Sequence, residues 1–283
     1  MPPFPGFLQS LGLIAIGLGA AFLTLIIAGV PGTPPTALIL ISSVVGSTVA
    51  LGVGLLLARR PLRNVLRLGR HARAGWDALP MILVGSVVLV SELDNLVLLL
   101  WPPPSYFSDV MQQIMAPERP LDRALALVLA GFMAPVAEEF LFRGLIQQGL
   151  SARHGASIGI AFSALLFATY HLNPWQGGTA LALGALFGWV AHRSGLIAYS
   201  IALHLGNNLI AIALARAATP IPGLTPLPEQ PAHVPPALLL AAAAILVWGL
   251  ARFAKAFPLP ASPQEADPGL LDSARARREL PPV

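Results

Sequence analysis

The chain has 283 residues, of which 55% are hydrophobic and only 11% are charged. Because a soluble domain carries about 25% charged residues, this composition excludes a soluble globular protein and indicates an integral membrane protein. Cysteine is absent, which excludes disulfides and thiolate metal sites. The isoelectric point near 10.3 is attributed to contact with anionic lipid headgroups and not with nucleic acid.

About eight apolar segments are long enough, or nearly so, to cross a hydrocarbon core of roughly 30 Å. Barrel strands would be about ten residues long with alternating polarity, so these longer, unalternating segments predict an all-α fold. The first segment has no basic leader and is too long for a signal peptide, which indicates a retained helix. The segments cover residues 7–30, 36–58, 79–101, 121–148, 156–172, 177–193, 195–217 and 235–257.

The placement of arginines predicts the orientation of the chain. The loop after the second segment carries six arginines against Asp77, so we expect it to be cytoplasmic. The loops at 31–35 and 218–234 have no Lys or Arg and are expected to face outward. Both termini would then be cytoplasmic, in a bacterial inner membrane. The six arginines are Arg59, Arg60, Arg63, Arg67, Arg70 and Arg73.

Several connecting stretches are expected to lie outside the hydrocarbon. Residues 59–77 predict an amphipathic helix on the inner leaflet, and residues 105–117 predict another on the outer side. Residues 218–236 are proline-rich without a regular pattern, and residues 259–283 are expected to be disordered. Solvated residues of mixed charge are expected near the outer surface at Glu118, Arg119, Asp122 and Arg123.

Adjacent carboxylates interrupt the fourth segment at Glu138 and Glu139. A carboxylate in hydrocarbon costs several kcal/mol, so such residues pair, line a wet cavity or take part in chemistry. Glu139 and Arg143 have the i,i+4 spacing of a helical ion pair, which leaves Glu138 without a local partner. The alternative is that both carboxylates only hold helices together.

Three further polar residues are expected at a similar depth. His171 ends the fifth segment, and His204 and Asn208 share one face of the seventh. Glu138 lies 15 residues before the turn near residue 153, and His171 lies 18 after it. Counted from cytoplasmic turns at about 1.5 Å per residue, Asn208 is roughly 21 Å and Glu138 roughly 22 Å into the membrane. One shared site requires this common level, whereas separate structural hydrogen bonds do not.

Such a set has the groups needed to activate water. A desolvated carboxylate is a competent general base, and an imidazole can orient the water. A second imidazole and an amide N–H can donate to a developing oxyanion. The set includes no Ser, Lys or Cys nucleophile, which disfavours covalent catalysis. One carboxylate with two imidazoles could also bind zinc.

The order of these motifs resembles the CPBP family, the CAAX-protease and bacteriocin-processing (Abi) intramembrane glutamic endopeptidases. The resemblance covers about residues 120–215 and rests on Glu138-Glu139-x-x-x-Arg143, Phe167-x-x-x-His171 and His204-x-x-x-Asn208. It implies that Glu138 activates water with help from His171, and that His204 and Asn208 form the oxyanion site. Glu139, Arg143 and Phe167 would support this geometry. It further implies a conical catalytic core of the later helices, with neither metal nor cofactor.

The resemblance predicts a peptidase of membrane-anchored peptides or proteins, including lipidated peptides and peptides that carry sorting signals. The predicted organisation is 1–118, N-terminal helices and basic loop; 119–217, catalytic core; 218–258, outer loop and last helix; and 259–283, cytoplasmic tail. A proton-coupled transporter and a non-catalytic immunity or scaffold protein are the alternatives. Polar residues of the third segment either line the substrate cavity or contact another helix: Glu92, Asp94 and Asn95.

Overall fold

The computed structural model describes residues 3–29, 35–59, 74–225 and 231–258. All regular secondary structure in these ranges is helical, which confirms the predicted all-α class. Most of the basic loop, from 60 to 73, lies outside the described residues, as does the tail from 259 onward. The inner-leaflet helix and the disordered tail predicted there stay predictions.

Nine helices are present in the described ranges, and a short 3₁₀ turn at Trp76–Ala78 leads into the third. The longest, α5, extends over 35 residues without a break. The helices are α1 (Phe7–Ala28), α2 (Pro35–Ala58), α3 (Leu79–Leu100), α4 (Ser105–Met115), α5 (Pro120–His154), α6 (Ala156–Tyr170), α7 (Gly177–Ser194), α8 (Ala198–Ala215) and α9 (Pro236–Ala256).

Six described helices are long and apolar enough to cross a membrane, so the predicted number of eight was approximate. They are α1, α2, α3, α5, α8 and α9. Helix α6 is apolar but has only 15 residues, and α7 is not among the six. Both pack against longer helices of the bundle and also expose apolar side chains, such as Leu165 on α6 and Leu181 on α7.

Helix α5 alternates between regular and widened turns. Two π-helical segments, Leu129–Met133 and Phe140–Ile146, flank the α-helical turn Ala134–Glu139 that carries the paired carboxylates. Pro135 supplies a physical reason for the first π segment. It has no N–H, and its ring would clash with the carbonyl four residues earlier, at Gly131, in a regular helix. Apolar length predicted a helix here but contained no information about the π segments.

The helices pack as pairs around α5. Helix α1 packs on α2, α3 on α9, and α6 on α7, while α2 and α8 both contact α5. Two large buried apolar clusters result, one around α5 and α6 and the other between α3, α7, α8 and α9, and a small third one lies around Val88 and Ala242. Large apolar side chains that remain exposed on the outer faces fit contact with lipid: Leu8, Phe22, Ile27, Leu56, Leu240, Val247 and Trp248.

Polar residues of α3 contact neighbouring elements. Glu92 accepts from the Val234 backbone N–H at 2.8 Å and lies 2.7 Å from the His233 imidazole. Asn95 donates to the Gly223 carbonyl at 2.9 Å, and Asp94 accepts from the Thr179 hydroxyl of α7. These contacts favour the interpretation that the polar side chains of α3 hold neighbouring helices and loops in place. The segment at 105–117 forms α4, with Ile114 buried and Tyr106 exposed, as an amphipathic helix requires.

We expect Gly85→Leu to destabilise the bundle. A Cβ at Gly85 would lie 2.7 Å from the Ala242 carbonyl oxygen and 2.7 Å from Leu246 Cβ, both on α9. Forcing α3 and α9 apart should cost about 1–3 kcal/mol, measured as a lower midpoint of thermal unfolding in detergent. Gly52→Leu is the matched control, because a Cβ there meets nothing within 4 Å. Equal midpoints for the two variants would contradict the close packing of α3 on α9.

Candidate functional site

Four charged or titratable side chains are buried together where α5 meets α8. Glu138, Glu139, Arg143 and His204 are only 6%, 0%, 2% and 4% exposed. Three come from consecutive turns of α5, and the fourth comes from α8. Burial of this many ionisable groups is costly unless each compensates another, so their mutual geometry decides what the group can do.

The predicted ion pair between Glu139 and Arg143 is confirmed. Arg143 Nη1 lies 2.9 Å from Glu139 Oε1, and both side chains are almost completely buried. Arg143 Nη2 also donates to the Gly184 carbonyl of α7 at 3.2 Å. Its guanidinium carbon lies 4.5 Å from the centre of the Phe167 ring of α6, a cation–π contact. Arg143 therefore joins α5, α6 and α7.

His204 lies between the two carboxylates, which the sequence did not predict for Glu139. Its Nδ1 is 3.0 Å from Glu139 Oε1, a hydrogen-bond distance. Its Nε2 is 3.8 Å from Glu138 Oε2, which is too long for a direct hydrogen bond. Since a carboxylate paired with Arg143 accepts hydrogen bonds, Nδ1 is the donor, and Nε2 is the ring nitrogen nearer to Glu138.

His171 joins this group through Phe167. Its Nδ1 lies 2.8 Å from the Phe167 carbonyl oxygen, and its ring packs edge-to-face on the Phe167 ring at 4.7 Å. The same ring packs edge-to-face on His204 at 5.6 Å. No hydrogen bond or ion pair joins His171 to Glu138 in the described part of the chain. The structure therefore brings both imidazoles to one aromatic ring without direct contact between His171 and Glu138.

Asn208 is directed toward the first π segment of α5. Its Nδ2 donates to the Ala130 carbonyl at 2.9 Å, and its Oδ1 lies 3.4 Å from Nδ2 of Asn207. Ala130 precedes Glu138 by eight residues, or about 12 Å of helix. The Asn208 amide has a second N–H, which remains for another acceptor. Asn208 therefore lies at the same contact between α5 and α8 as Glu138, but it binds the backbone of α5 at Ala130.

Sequence reasoning missed two residues that complete the walls of the group. The Phe187 ring lies 5.3 Å from the His204 ring and 5.7 Å from the Arg143 guanidinium carbon. Gly184 supplies a carbonyl to Arg143, and a Cβ there would lie 3.1 Å from Ala164 Cα, so glycine lets α7 approach α6. A backbone acceptor and one more phenylalanine in an apolar helix carry no distinguishing sequence signal.

The arrangement defines a polytopic helical membrane protein with a buried Glu–His–Arg centre at a helix junction. Among the described residues, no three His, Asp or Glu side chains converge to hold a metal ion.

Residues 120–210 match the family described as Type II CAAX prenyl endopeptidase Rce1-like. The match confirms the resemblance seen in the sequence, and it covers the helices that carry all seven motif residues. It indicates a protease and supports an intramembrane peptidase. No curated protein and no solved structure matches the chain significantly.

Proposed function

We propose that this protein is an intramembrane peptidase in which Glu138 activates water to hydrolyse a peptide bond of a membrane-associated substrate. The observation that carries the proposal is the position of His204 between Glu138 and Glu139, inside a buried group that also contains Arg143. A purely structural ion pair needs only Glu139 and Arg143. Among the described residues, Glu138 has no such partner within hydrogen-bond distance, so its carboxylate is available to a water.

In the proposed reaction, Glu138 takes a proton from water as the oxygen attacks the substrate carbonyl. The tetrahedral oxyanion accepts hydrogen bonds from the second Asn208 N–H and from His204 Nε2. His204 donates from Nε2 when both of its ring nitrogens carry protons, because Nδ1 donates to Glu139. Glu138 then returns the proton to the leaving amine as the C–N bond breaks, which closes the cycle.

The other motif residues are assigned positioning roles in this proposal. Glu139, held by Arg143, fixes the orientation of the His204 ring, as a buried carboxylate does for a catalytic histidine in serine proteases. His171 assists Glu138 through a bridging water, since the two make no direct hydrogen bond. Phe167 fills the space between both imidazoles and Arg143, which keeps bulk water from the ion pair.

The test is hydrolysis by purified protein. Wild type in detergent would be incubated with solubilised bacterial membrane proteins in H₂¹⁸O, and new peptide termini would be identified by mass spectrometry. We expect termini whose new carboxyl group contains ¹⁸O, because water supplies that oxygen. Their absence with wild type, or their equal appearance with Glu138→Gln, would refute the proposed function.

Asn208→Ala is expected to lower turnover more than substrate binding. Loss of one oxyanion donor costs about 10²–10³ in kcat, because the donor acts on charge that develops only in the transition state. The measurement is kcat and KM on the best substrate from the ¹⁸O experiment. Asn95→Ala is the matched control, since that amide is also buried but donates to the Gly223 carbonyl. Equal kcat for the two variants would contradict the oxyanion role.

A further inference from the structure

Two arginines lie side by side at the end of the bundle where α5 begins and α8 finishes. Arg123 is in the first turns of α5, and Arg216 directly follows α8. With the alanines Ala116, Ala215 and Ala217, they line a cavity of about 240 Å³. That volume corresponds to roughly eight waters, which accommodates a phosphate group with some of its hydration.

Backbone carbonyls hold both arginines in place. Arg123 Nε donates to the Pro117 carbonyl at 2.7 Å. Arg216 Nε donates to the Met115 carbonyl at 2.9 Å, and its Nη2 donates to the Arg123 carbonyl at 3.2 Å. These bonds use the Nε atoms of both side chains and Nη2 of Arg216. The Nη groups of Arg123 and Nη1 of Arg216 remain for other acceptors.

No carboxylate neutralises this pair within the described ranges. The nearest acidic residue along α5, Asp122, forms its ion pair with Arg119 at 3.6 Å. Burial, and next the neighbouring Arg123 guanidinium, lower the pKa of Arg216 from its ordinary value. Two cations that repel each other at a cavity gain from an anion placed between them, since charge-assisted hydrogen bonds to oxyanions are among the stronger ones.

The position of the pair selects the anion. Both arginines lie at the ends of helices that are long and apolar enough to span a membrane, α5 and α8. That level is where lipid phosphates surround a membrane protein. The adjacent amphipathic helix α4 has Tyr106 69% exposed, as expected of an aromatic residue at the membrane interface.

We propose that the cavity between Arg123 and Arg216 binds the headgroup phosphate of an anionic phospholipid. The bound lipid joins the beginning of α5, the residues after α4 and the end of α8. The lipid therefore connects α5 and α8, the helices that carry Glu138 and Asn208, at a point remote from both residues. Its binding does not depend on peptidase activity, so this inference stands or fails separately from the proposed function.

The test is native mass spectrometry of the full-length protein in detergent, titrated with phosphatidylglycerol or phosphatidylcholine. We expect one phosphatidylglycerol to bind wild type with higher affinity than phosphatidylcholine. Arg123→Gln should weaken the phosphatidylglycerol complex by about fivefold, the effect of one arginine near an anionic surface. Arg119→Gln is the matched control, because that side chain lies at the same end of the bundle but is paired with Asp122.

Arg123→Gln leaves the bonds of Arg216 to the backbone intact, so we expect its thermal unfolding midpoint to match that of wild type. Equal phosphatidylglycerol affinity for wild type and a folded Arg123→Gln variant would overturn the proposal. Displacement of the lipid by millimolar inorganic phosphate would also overturn it, since the site would then take a free anion and not a lipid. An equal loss with Arg119→Gln would indicate a general surface charge effect and would count against a defined site.

Discussion

Glu138→Gln is expected to reduce hydrolysis by about 10²–10⁴-fold, the usual contribution of a positioned general base. Glutamine keeps the shape of the side chain and can hydrogen bond to His204, but its amide cannot take a proton from water. The effect should fall on kcat, with KM little changed, because the lost proton transfer takes place in the transition state. The measurement is steady-state turnover of the substrate found with ¹⁸O-labelled water.

The control for Glu138→Gln is Glu92→Gln on α3. That carboxylate contacts His233 and the Val234 backbone and belongs to another part of the bundle. Both variants should elute as wild type does from size-exclusion chromatography. Turnover by Glu138→Gln within about threefold of wild type would be incompatible with a general base at this position.

Arg143→Met is expected to be the most destabilising single change in the site. It leaves the Glu139 carboxylate buried at 0% exposure with its cationic partner removed. Breaking a buried ion pair on one side costs about 3–5 kcal/mol, whereas replacing both partners together costs much less. We therefore expect Glu139→Gln combined with Arg143→Met to recover most of the unfolding free energy lost in Arg143→Met. The measurement is denaturant unfolding in detergent micelles.

Arg252→Met tests whether the loss is specific to burial. Arg252 pairs with Asp77, but both side chains are about half exposed. An exposed pair contributes about 0–1 kcal/mol, so this variant should unfold close to wild type. Equal shifts of the unfolding midpoint in Arg143→Met and Arg252→Met would contradict a large stabilising contribution from the buried ion pair of Glu139 and Arg143.

Local rules were sufficient for some features of this protein. Apolar length predicted the membrane helices, and the i,i+4 rule predicted the contact between Glu139 and Arg143 because both residues lie on one helix. Depth counting placed Asn208 nearest to the level of Glu138, whereas in the structure His204 Nε2 lies 3.8 Å from Glu138 Oε2 and Asn208 contacts Ala130. The catalytic assignments of these residues remain predictions.

Other features depend on the tertiary structure. Which carboxylate receives His204 Nδ1 is set by the rotation of α8 against α5, and sequence spacing contains no information about that rotation. The contact of Asn208 with Ala130 arises in a π segment, which a periodicity of 3.6 cannot predict. The count of about eight spans was only approximate, because α6 and α7 bury part of their apolar surface against other helices and expose the rest.

The two π segments of α5 also constrain which length changes this helix tolerates. One extra residue in a regular α-helix rotates everything beyond it by about 100°, whereas a π turn takes up the extra residue within a single wider turn. Deleting one residue from Leu129–Met133 would therefore restore regular winding with Glu138 still facing α8. In related sequences, a one-residue gap at this position would therefore leave Glu138 on the same face of α5, whereas a gap in a regular turn before Glu138 would rotate that face by about 100°.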